Sequence, residues 1–523
     1  MPAPAVLSTS LPSLDPATGE VLGHFEATHA SALPGLLTRA RRAQADWAAT
    51  PLRARCSLLN ALRNQIYKRR TELAAAVIRE TGKPRVEALF ADLFVTLDSA
   101  SYYATFAPSL LQPEPVRHHS VAVKAKTGRV VFDPYGVIAV IGAWNYPLAI
   151  PMGQIIPAVV AGNAVVLKPS ELTPWCGALI GELFEQAGFP PGVVQIAQGG
   201  GELGDALIAA GPDKVIFTGS VATGKLVAAS CARRLIPCVL ELGGKDAMLI
   251  LADADIEVVS SAAVWGGFTN CGQACLSVER IYVEQAVAKD FTERCAAKAR
   301  LLKLGPGSDP QTEVGPLIRA SQVDRIEAQL RDAVSRGARI VCGGRRRPDL
   351  GPCFFEPTVI VDVDHSMQLM QEETFGPVLA IRTVASADEA VAMANDSAFG
   401  LAASVWTADI QRGRQLADRL RAGAVMINDV ASYFGIAEAP HGGRGASGWG
   451  RTHSKFGLLE MVQVKYVDVD RLPGWPKPWW YGYSEELGEA ADRFLQFLFA
   501  PRWRQRWRNA RGALKTVLRG DRV

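Results

Sequence analysis

The sequence predicts an α/β protein built on parallel sheets, and three observations carry that expectation. Short β-branched runs alternate with helical segments between residues 136 and 240, the pattern of repeated βα units with buried strands. Glycine occurs 48 times, as suits many tight strand-to-helix turns. At 523 residues the chain is too long for one ordinary core, so two or more domains are expected.

The elements follow in order. Residues 31–80 show helical spacing, with Leu58, Leu62, Ile66 and Leu73 on one face, and Lys83-Pro84 ends that region. A second helical stretch runs to about residue 110. Residues 119–133 alternate through Val121, Val123 and Ala125 and read on into Val130-Val131-Phe132, which predicts a hairpin with Thr127-Gly128 as its turn. Strands are expected at Val137–Ile141, Ala164–Leu167, Val193–Ile196 and Lys214–Phe217, and helices at 149–161, 173–188, 201–210 and 222–234. Together these imply a Rossmann-like sheet. The alternation continues to about residue 427 with longer helices, and Val464–Val469 is a late strand.

Composition excludes several classes. The chain is 48% hydrophobic and 21% charged, as a globular protein is. Nine scattered Cys do not form a disulfide framework, and no Cys/His cluster has metal-ligand spacing, so no metal is expected and a reducing, cytoplasmic compartment is. No basic segment followed by an apolar run opens the chain, so no secretory signal is expected. The longest charge-free stretch, Pro134 to Leu167, holds Pro147, Pro151, Pro157, Asn145, Gln154 and Asn163. It reads as strand, loop, helix and strand rather than a membrane span.

The chemistry centres on Cys275, in the run Asn270-Cys271-Gly272-Gln273-Ala274-Cys275, with Glu241-Leu242-Gly243-Gly244-Lys245 upstream. A thiol nucleophile and a carboxylate base suit attack on a carbonyl followed by hydrolysis. An isolated Cys is more often inert packing, and a single Glu before Gly-Gly is more often exposed. Other motifs are needed to decide: Trp144-Asn145-Tyr146-Pro147, Lys168-Pro169-Ser170-Glu171, Phe217-Thr218-Gly219-Ser220 and Glu372-Glu373-Thr374-Phe375-Gly376-Pro377-Val378. Both the motifs and their order are similar to those of the aldehyde dehydrogenase superfamily, over about residues 10 to 470.

The resemblance implies NAD-dependent oxidation of an aldehyde to a carboxylic acid, with NADP as an alternative cofactor. Cys275 would be the nucleophile, Asn145 the oxyanion donor and Glu241 the base that activates the deacylating water. Relatives that pass the acyl group to coenzyme A generally lack a Glu at that place, so hydrolysis is favoured. The implied cofactor-binding set is Trp144, Lys168, Ser170, Glu171, Gly201, Phe217, Gly219, Ser220, Gly243, Glu373 and Phe375. Lys168 and Glu171 would reach the adenosine ribose, where a carboxylate disfavours a 2′-phosphate. Glu373 would hold the nicotinamide ribose. The resemblance places a cofactor-binding domain at 1–117 and 134–240, a catalytic domain at 241–427, and a bridging, oligomerisation element at 118–133 and 428–470, hence a homodimer or homotetramer. One departure stands out: many relatives read Pro-Phe-Gly-Gly where this chain has Pro440-His441-Gly442-Gly443. His441 would fill space or contact a polar substrate. The alternatives are a non-redox acyl transferase or hydrolase, against which the nucleotide motifs count, and a scaffolding protein with a degenerate dehydrogenase body.

Residues 471–523 lie beyond the resemblance. They carry eleven Lys/Arg against five Asp/Glu, a net +6 in a chain of net +4. Trp475, Trp479, Trp480, Trp503 and Trp507 lie here, Pro473, Pro476 and Pro478 break the first part, and Arg502, Arg504, Arg506, Arg508 and Arg511 follow a helix expected from about residue 484. Its stripe is Leu487, Ala491, Phe494, Leu495 and Leu498. Such a tail docks on protein or lies on an anionic membrane surface. No nucleic-acid module accompanies the charge, so no nucleic-acid partner is expected.

Overall fold

The computed structural model describes residues 10–120, 123–474, 477, 479–504, 506, 508 and 510. Expectations that fall on Val121, Trp475, Pro476, Pro478, Trp507 and Arg511 lie outside the described residues. The chain divides into two compact units, Met1–Leu111 with Asp133–Gln463, and Gln112–Phe132 with Val464–Val523.

The larger unit is built on two sheets. One has six strands in the order Gly448–Trp449, Cys238–Glu241, Lys214–Thr218, Val137–Ile141, Ala164–Lys168, Val194–Ile196. The five longer strands are parallel, and the short Gly448–Trp449 runs antiparallel at one edge. Every residue of Val137–Ile141 and Ala164–Lys168 is buried, as a sheet covered on both faces requires. Between the strands run helices Ala149–Val160, Pro174–Gln186, Gly201–Ala209 and Val221–Ala232. The charge-free stretch is thus a strand, a loop, a buried helix and a second strand, and among the described residues no helix is long and apolar enough to cross a membrane.

The second sheet has seven strands, in the order Arg339–Cys342, Thr358–Val361, Val378–Val384, Val278–Glu284, Asp246–Ile250, Ala402–Trp406, Ala424–Ile427. Only the Arg339–Cys342 edge is antiparallel. Glu241 ends a strand of the first sheet and Asp246 begins a strand of the second, so Leu242–Lys245 is the crossing between them.

The N-terminal helical region resolves into Leu33–Ala49, Leu52–Lys68 and Arg70–Thr81, then a π-helical stretch Ala88–Phe94 running into Val95–Leu110. The π stretch was not anticipated. It leaves Phe90 and Phe94 exposed while Asp92 points into the interior with no exposed surface.

In the smaller unit, the three-stranded sheet has the order Val462–Asp470, Lys126–Pro134, Glu114–Val116. The structure differs from the expected hairpin. Thr127-Gly128 is no turn: it lies inside the continuous strand Lys126–Pro134, whose antiparallel partner is Glu114–Val116. Gly128 is selected by packing instead, because a side chain there would collide with the Tyr466 ring. Helix Glu485–Phe499 starts as expected, with the Ser484 hydroxyl capping Leu487 N–H, and none of its residues is buried.

Candidate active site

Cys275 follows a tight, unusual turn. Asn270 and Cys271 take left-handed backbone conformations at φ 51° and 56°, costly for residues with side chains, and Gly272 continues at φ 69°. Polar contacts hold the turn in place. Glu87 accepts from Asn270 N–H at 2.8 Å and from the Thr269 hydroxyl at 3.1 Å. The Gln273 side chain donates to Asn270 O at 3.0 Å and accepts from Ile318 N–H at 2.8 Å. Asn270 Nδ2 donates to the carbonyls of Asn145 and Gln273, both at 3.1 Å. Cys271 is packed in the core at 1% exposure.

Asn145 lies against this turn. Its Nδ2 donates to Gln273 O at 3.1 Å, two residues before the thiol, and the amide keeps a second N–H. Lys83 Nζ donates to Asn145 O at 2.7 Å and to Asp92 at 2.8 Å. The other Asp92 oxygen accepts from Leu148 and Ala149 N–H, each at 3.1 Å, at the start of the following helix.

Cys275 and Glu241 line one cavity of about 290 Å³. Its walls are mostly apolar and aromatic, including Phe90, Phe94, Tyr146, Trp265 and Phe434, and among its described lining residues none is Lys or Arg. Burial, then the carboxylates of Asp246, Glu241 and Glu373, pushes the Cys275 thiol up. Glu241 is buried, with neither oxygen hydrogen-bonded among the described residues, and burial holds its pKa well above the usual carboxylate range. His441 is not at a free surface: its Nε2 lies 3.4 Å from Glu241 Oε2 and its Nδ1 2.9 Å from the Tyr433 hydroxyl. His453 lines the same cavity, its ring centroid 5.8 Å from that of His441.

The expected cofactor residues fall into two groups. Lys168 ends its strand, and its Nζ meets Glu171 at 3.3 Å past that end, while the Ser170 hydroxyl accepts from Leu172 N–H at 3.2 Å. Gly201 opens a helix, where a side chain would meet nothing within 4 Å. Phe217 is buried in its strand, and Gly219 sits where a Cβ would come within 2.5 Å of the Phe217 ring. Ser220 caps the next helix by accepting from Thr223 N–H. In the second group Glu373 accepts from Gly244 N–H at 3.0 Å, and a side chain on Gly243 would collide with the Glu373 carboxylate. Trp144 and Phe375 pack edge to face at 5.6 Å.

A buried ion pair supports the second group. Lys245 pairs with Glu279, which also accepts from Thr374 N–H at 2.8 Å and Phe375 N–H at 3.0 Å. Burial, then Glu279, pushes the Glu373 pKa up to about 7. A buried ammonium beside a carboxylate past one strand end, an open helix N-terminus and the Glu373 carboxylate held against the crossing loop fit the ribose and phosphate chemistry of a dinucleotide.

Sequence reasoning missed Lys83, Asp92, Glu87, Glu279 and Tyr433. Lys83 reads in the sequence as the end of a helical region, in a run Glu80-Thr81-Gly82-Lys83-Pro84 similar to the family, with no role at the site, and the others carry no local signal.

Comparison with known proteins follows the same lines. A family model described as "Aldehyde dehydrogenase family" matches residues 5–467. A 4,4'-diapolycopene aldehyde oxidase of Methylomonas sp is 40% identical over 493 residues, covering 94% of this chain and 92% of that protein. A Mycobacterium ulcerans protein bearing the name succinate-semialdehyde dehydrogenase (NADP(+)) 2 is 38% identical over 456 residues, covering 87% and 88%. Among solved structures, a Mycobacterium tuberculosis aldehyde dehydrogenase complexed with NAD+ superposes with a TM-score of 0.85 at 34% identity, covering 92% of this chain and 96% of that one. The chain belongs to the aldehyde dehydrogenase family and is an NAD(P)-dependent enzyme that oxidises aldehydes.

Proposed function

We propose that Cys275 gives up its thiol proton to solvent and attacks the aldehyde carbon as the thiolate, Asn145 donates its second amide N–H to the oxyanion, and Glu241 activates the water that cleaves the resulting thioester to a carboxylic acid. The single observation behind this reading is that a thiol and an unpartnered, buried carboxylate line one cavity beside the Asn145 turn. The tetrahedral thiohemiacetal on Cys275 is what makes the aldehydic hydrogen transferable. When bound, the nicotinamide ring of NAD(P) supplies the acceptor for it. Glu241 then takes a proton from water, and the thiol is restored as the acid leaves. The six-stranded region serves as the cofactor-binding domain and residues 241–427 as the catalytic domain. The cofactor residues are those of the two groups above, with Glu171 favouring NAD over NADP.

The substrate we propose is an apolar aldehyde. The relatives' names point two ways, to a diapolycopene aldehyde and to succinate semialdehyde. The second carries a carboxylate, and burying it without a cation costs several kcal/mol. No described lining residue offers that cation, whereas Phe90, Phe94, Trp265 and Phe434 offer apolar surface. NADH formation from hexanal, decanal and succinate semialdehyde tests both parts. Turnover that favours decanal supports the substrate class, preference for succinate semialdehyde removes it, and silence on all three removes the chemistry.

The strand Val462–Asp470 and its sheet partners support a homodimer or homotetramer joined through this element. Nine unpaired thiols support a reducing, cytoplasmic setting. For the tail we favour a peripheral anionic-membrane contact, because helix Glu485–Phe499 buries none of its residues while Trp479, Trp480, Phe499 and Trp503 are all more than half exposed. Intact protein is then expected to pellet with anionic vesicles and a chain ending at Asp470 to stay in solution. Equal pelleting of the two removes this contact.

A further inference from the structure

One histidine stands against the buried carboxylate, a tyrosine hydroxyl backs that histidine, and a second histidine lines the same cavity, yet the proposed reaction uses none of them. Glu241 has His441 Nε2 as a neighbour at 3.4 Å, and no hydrogen-bond partner among the described residues. Contacts of this length are common in unliganded catalytic sites and tighten in the working complex. Contacts to backbone and ring hold the imidazole in place. Its backbone is locked to Thr452 by paired hydrogen bonds of 2.9 and 2.8 Å, and its ring packs on the edge of Phe434 at 5.0 Å. Its far nitrogen, Nδ1, meets the Tyr433 hydroxyl at 2.9 Å.

We propose that Tyr433 and His441 form a hydrogen-bonded chain that aims Glu241 and holds it in its charged, water-activating form. In this chain Tyr433 O–H donates to His441 Nδ1, which fixes the tautomer that carries its proton on Nε2, and Nε2–H donates to Glu241. His441 is a positioning residue here, acting through Glu241.

Protonation states agree with the direction of donation. Burial, then His453 and Arg451, pushes His441 down to about 3, so the ring is neutral and has one N–H to give. Burial holds the Tyr433 hydroxyl well above its usual range, so it keeps its proton. Left to itself, Glu241 is driven toward the neutral acid by burial, and that form is useless as a base. A donor aimed at the carboxylate opposes this. Arg451 opposes it also, while Glu460 reinforces it. Cys275, Tyr146 and His453 are the other titratable groups on the cavity wall; burial, then Glu87, holds the Tyr146 hydroxyl well above its usual range, so it keeps its proton, and His453, pushed down to about 4 by burial, is neutral as well.

The inference rests on Glu241 being the deacylating base, so the test reads deacylation directly. The Cys275 acyl-enzyme is formed from a p-nitrophenyl ester, and its decay is followed by mass spectrometry from about pH 5.5 to 9, for wild type, Glu241→Gln, His441→Phe, His441→Gln and Tyr433→Phe. The expected result is an acidic limb that moves up by about one pH unit in His441→Phe, giving about tenfold slower decay near pH 6.5 and convergence with wild type near pH 9. Tyr433→Phe is expected to move the limb the same way by less. His441→Gln, which keeps an N–H donor, is expected to recover part of the shift. An unmoved limb with only a lower plateau in His441→Phe and Tyr433→Phe overturns the chain while leaving Glu241 as the base. Decay of wild-type speed in Glu241→Gln overturns the base itself.

Discussion

Lys83 and Asp92 form an ion pair at 2.8 Å with neither side chain exposed, and that pair holds the loop that carries Asn145. The ammonium reaches Asn145 O, and the carboxylate caps the helix that begins at Ala149. Breaking a buried pair leaves one charge stranded, at about 3–5 kcal/mol. Asp92→Ala is therefore expected to lower urea stability by about that amount. Replacing both residues, as Lys83→Met with Asp92→Leu, is expected to recover much of the stability but not the rate of NADH formation, because the loop then loses the Lys83 ammonium on Asn145 O and the Asp92 carboxylate on Leu148 and Ala149 N–H.

The thiol of Cys275 is held up by burial and by three carboxylates, so in the free enzyme it is protonated at neutral pH. Alkylation of Cys275 by iodoacetamide is expected to accelerate about tenfold per pH unit through about pH 7 to 9, with peptide mass spectrometry identifying the site. A rate flat with pH would mean a thiolate already formed.

Glu373, pushed up to about 7, is neutral below that pH and charged above it. Only the carboxylate accepts two strong hydrogen bonds from a ribose diol. The KM for NAD is thus expected to fall as pH rises through about 7, and Glu373→Gln to flatten that dependence.

Gly243 leaves room for the Glu373 carboxylate against the crossing loop. Gly243→Ala pushes that carboxylate out of its hydrogen bond with Gly244 N–H. An increase of about tenfold in the KM for NAD is expected, the equivalent of one such hydrogen bond to a charged group, with little change in melting temperature.

The sequence made the six-stranded region legible because its strands are continuous apolar runs, as at Val137–Ile141, and its turns are marked by Gly and Pro. Cys275 and Glu241 were legible because each sits in a distinctive local string, and both line the same cavity. The Thr127-Gly128 turn was misread, because a Gly that admits the Tyr466 ring looks locally like a Gly that bends the chain. Lys83 and Asp92 were missed because an ion pair buried through folding leaves no periodic trace. His441 was noticed as a departure from the family, but its closeness to Glu241 depends on a pairing with Thr452 that no local pattern encodes.

The most direct test of the account is rapid-mixing measurement of NADH formation from decanal by wild type, Cys275→Ala and Glu241→Gln. Steady turnover is predicted for wild type and none for Cys275→Ala. Glu241→Gln should give a burst of about one NADH per subunit and then stall, because the thioester on Cys275 is made but not hydrolysed. Undiminished steady turnover in either variant would contradict the assignment of nucleophile and base.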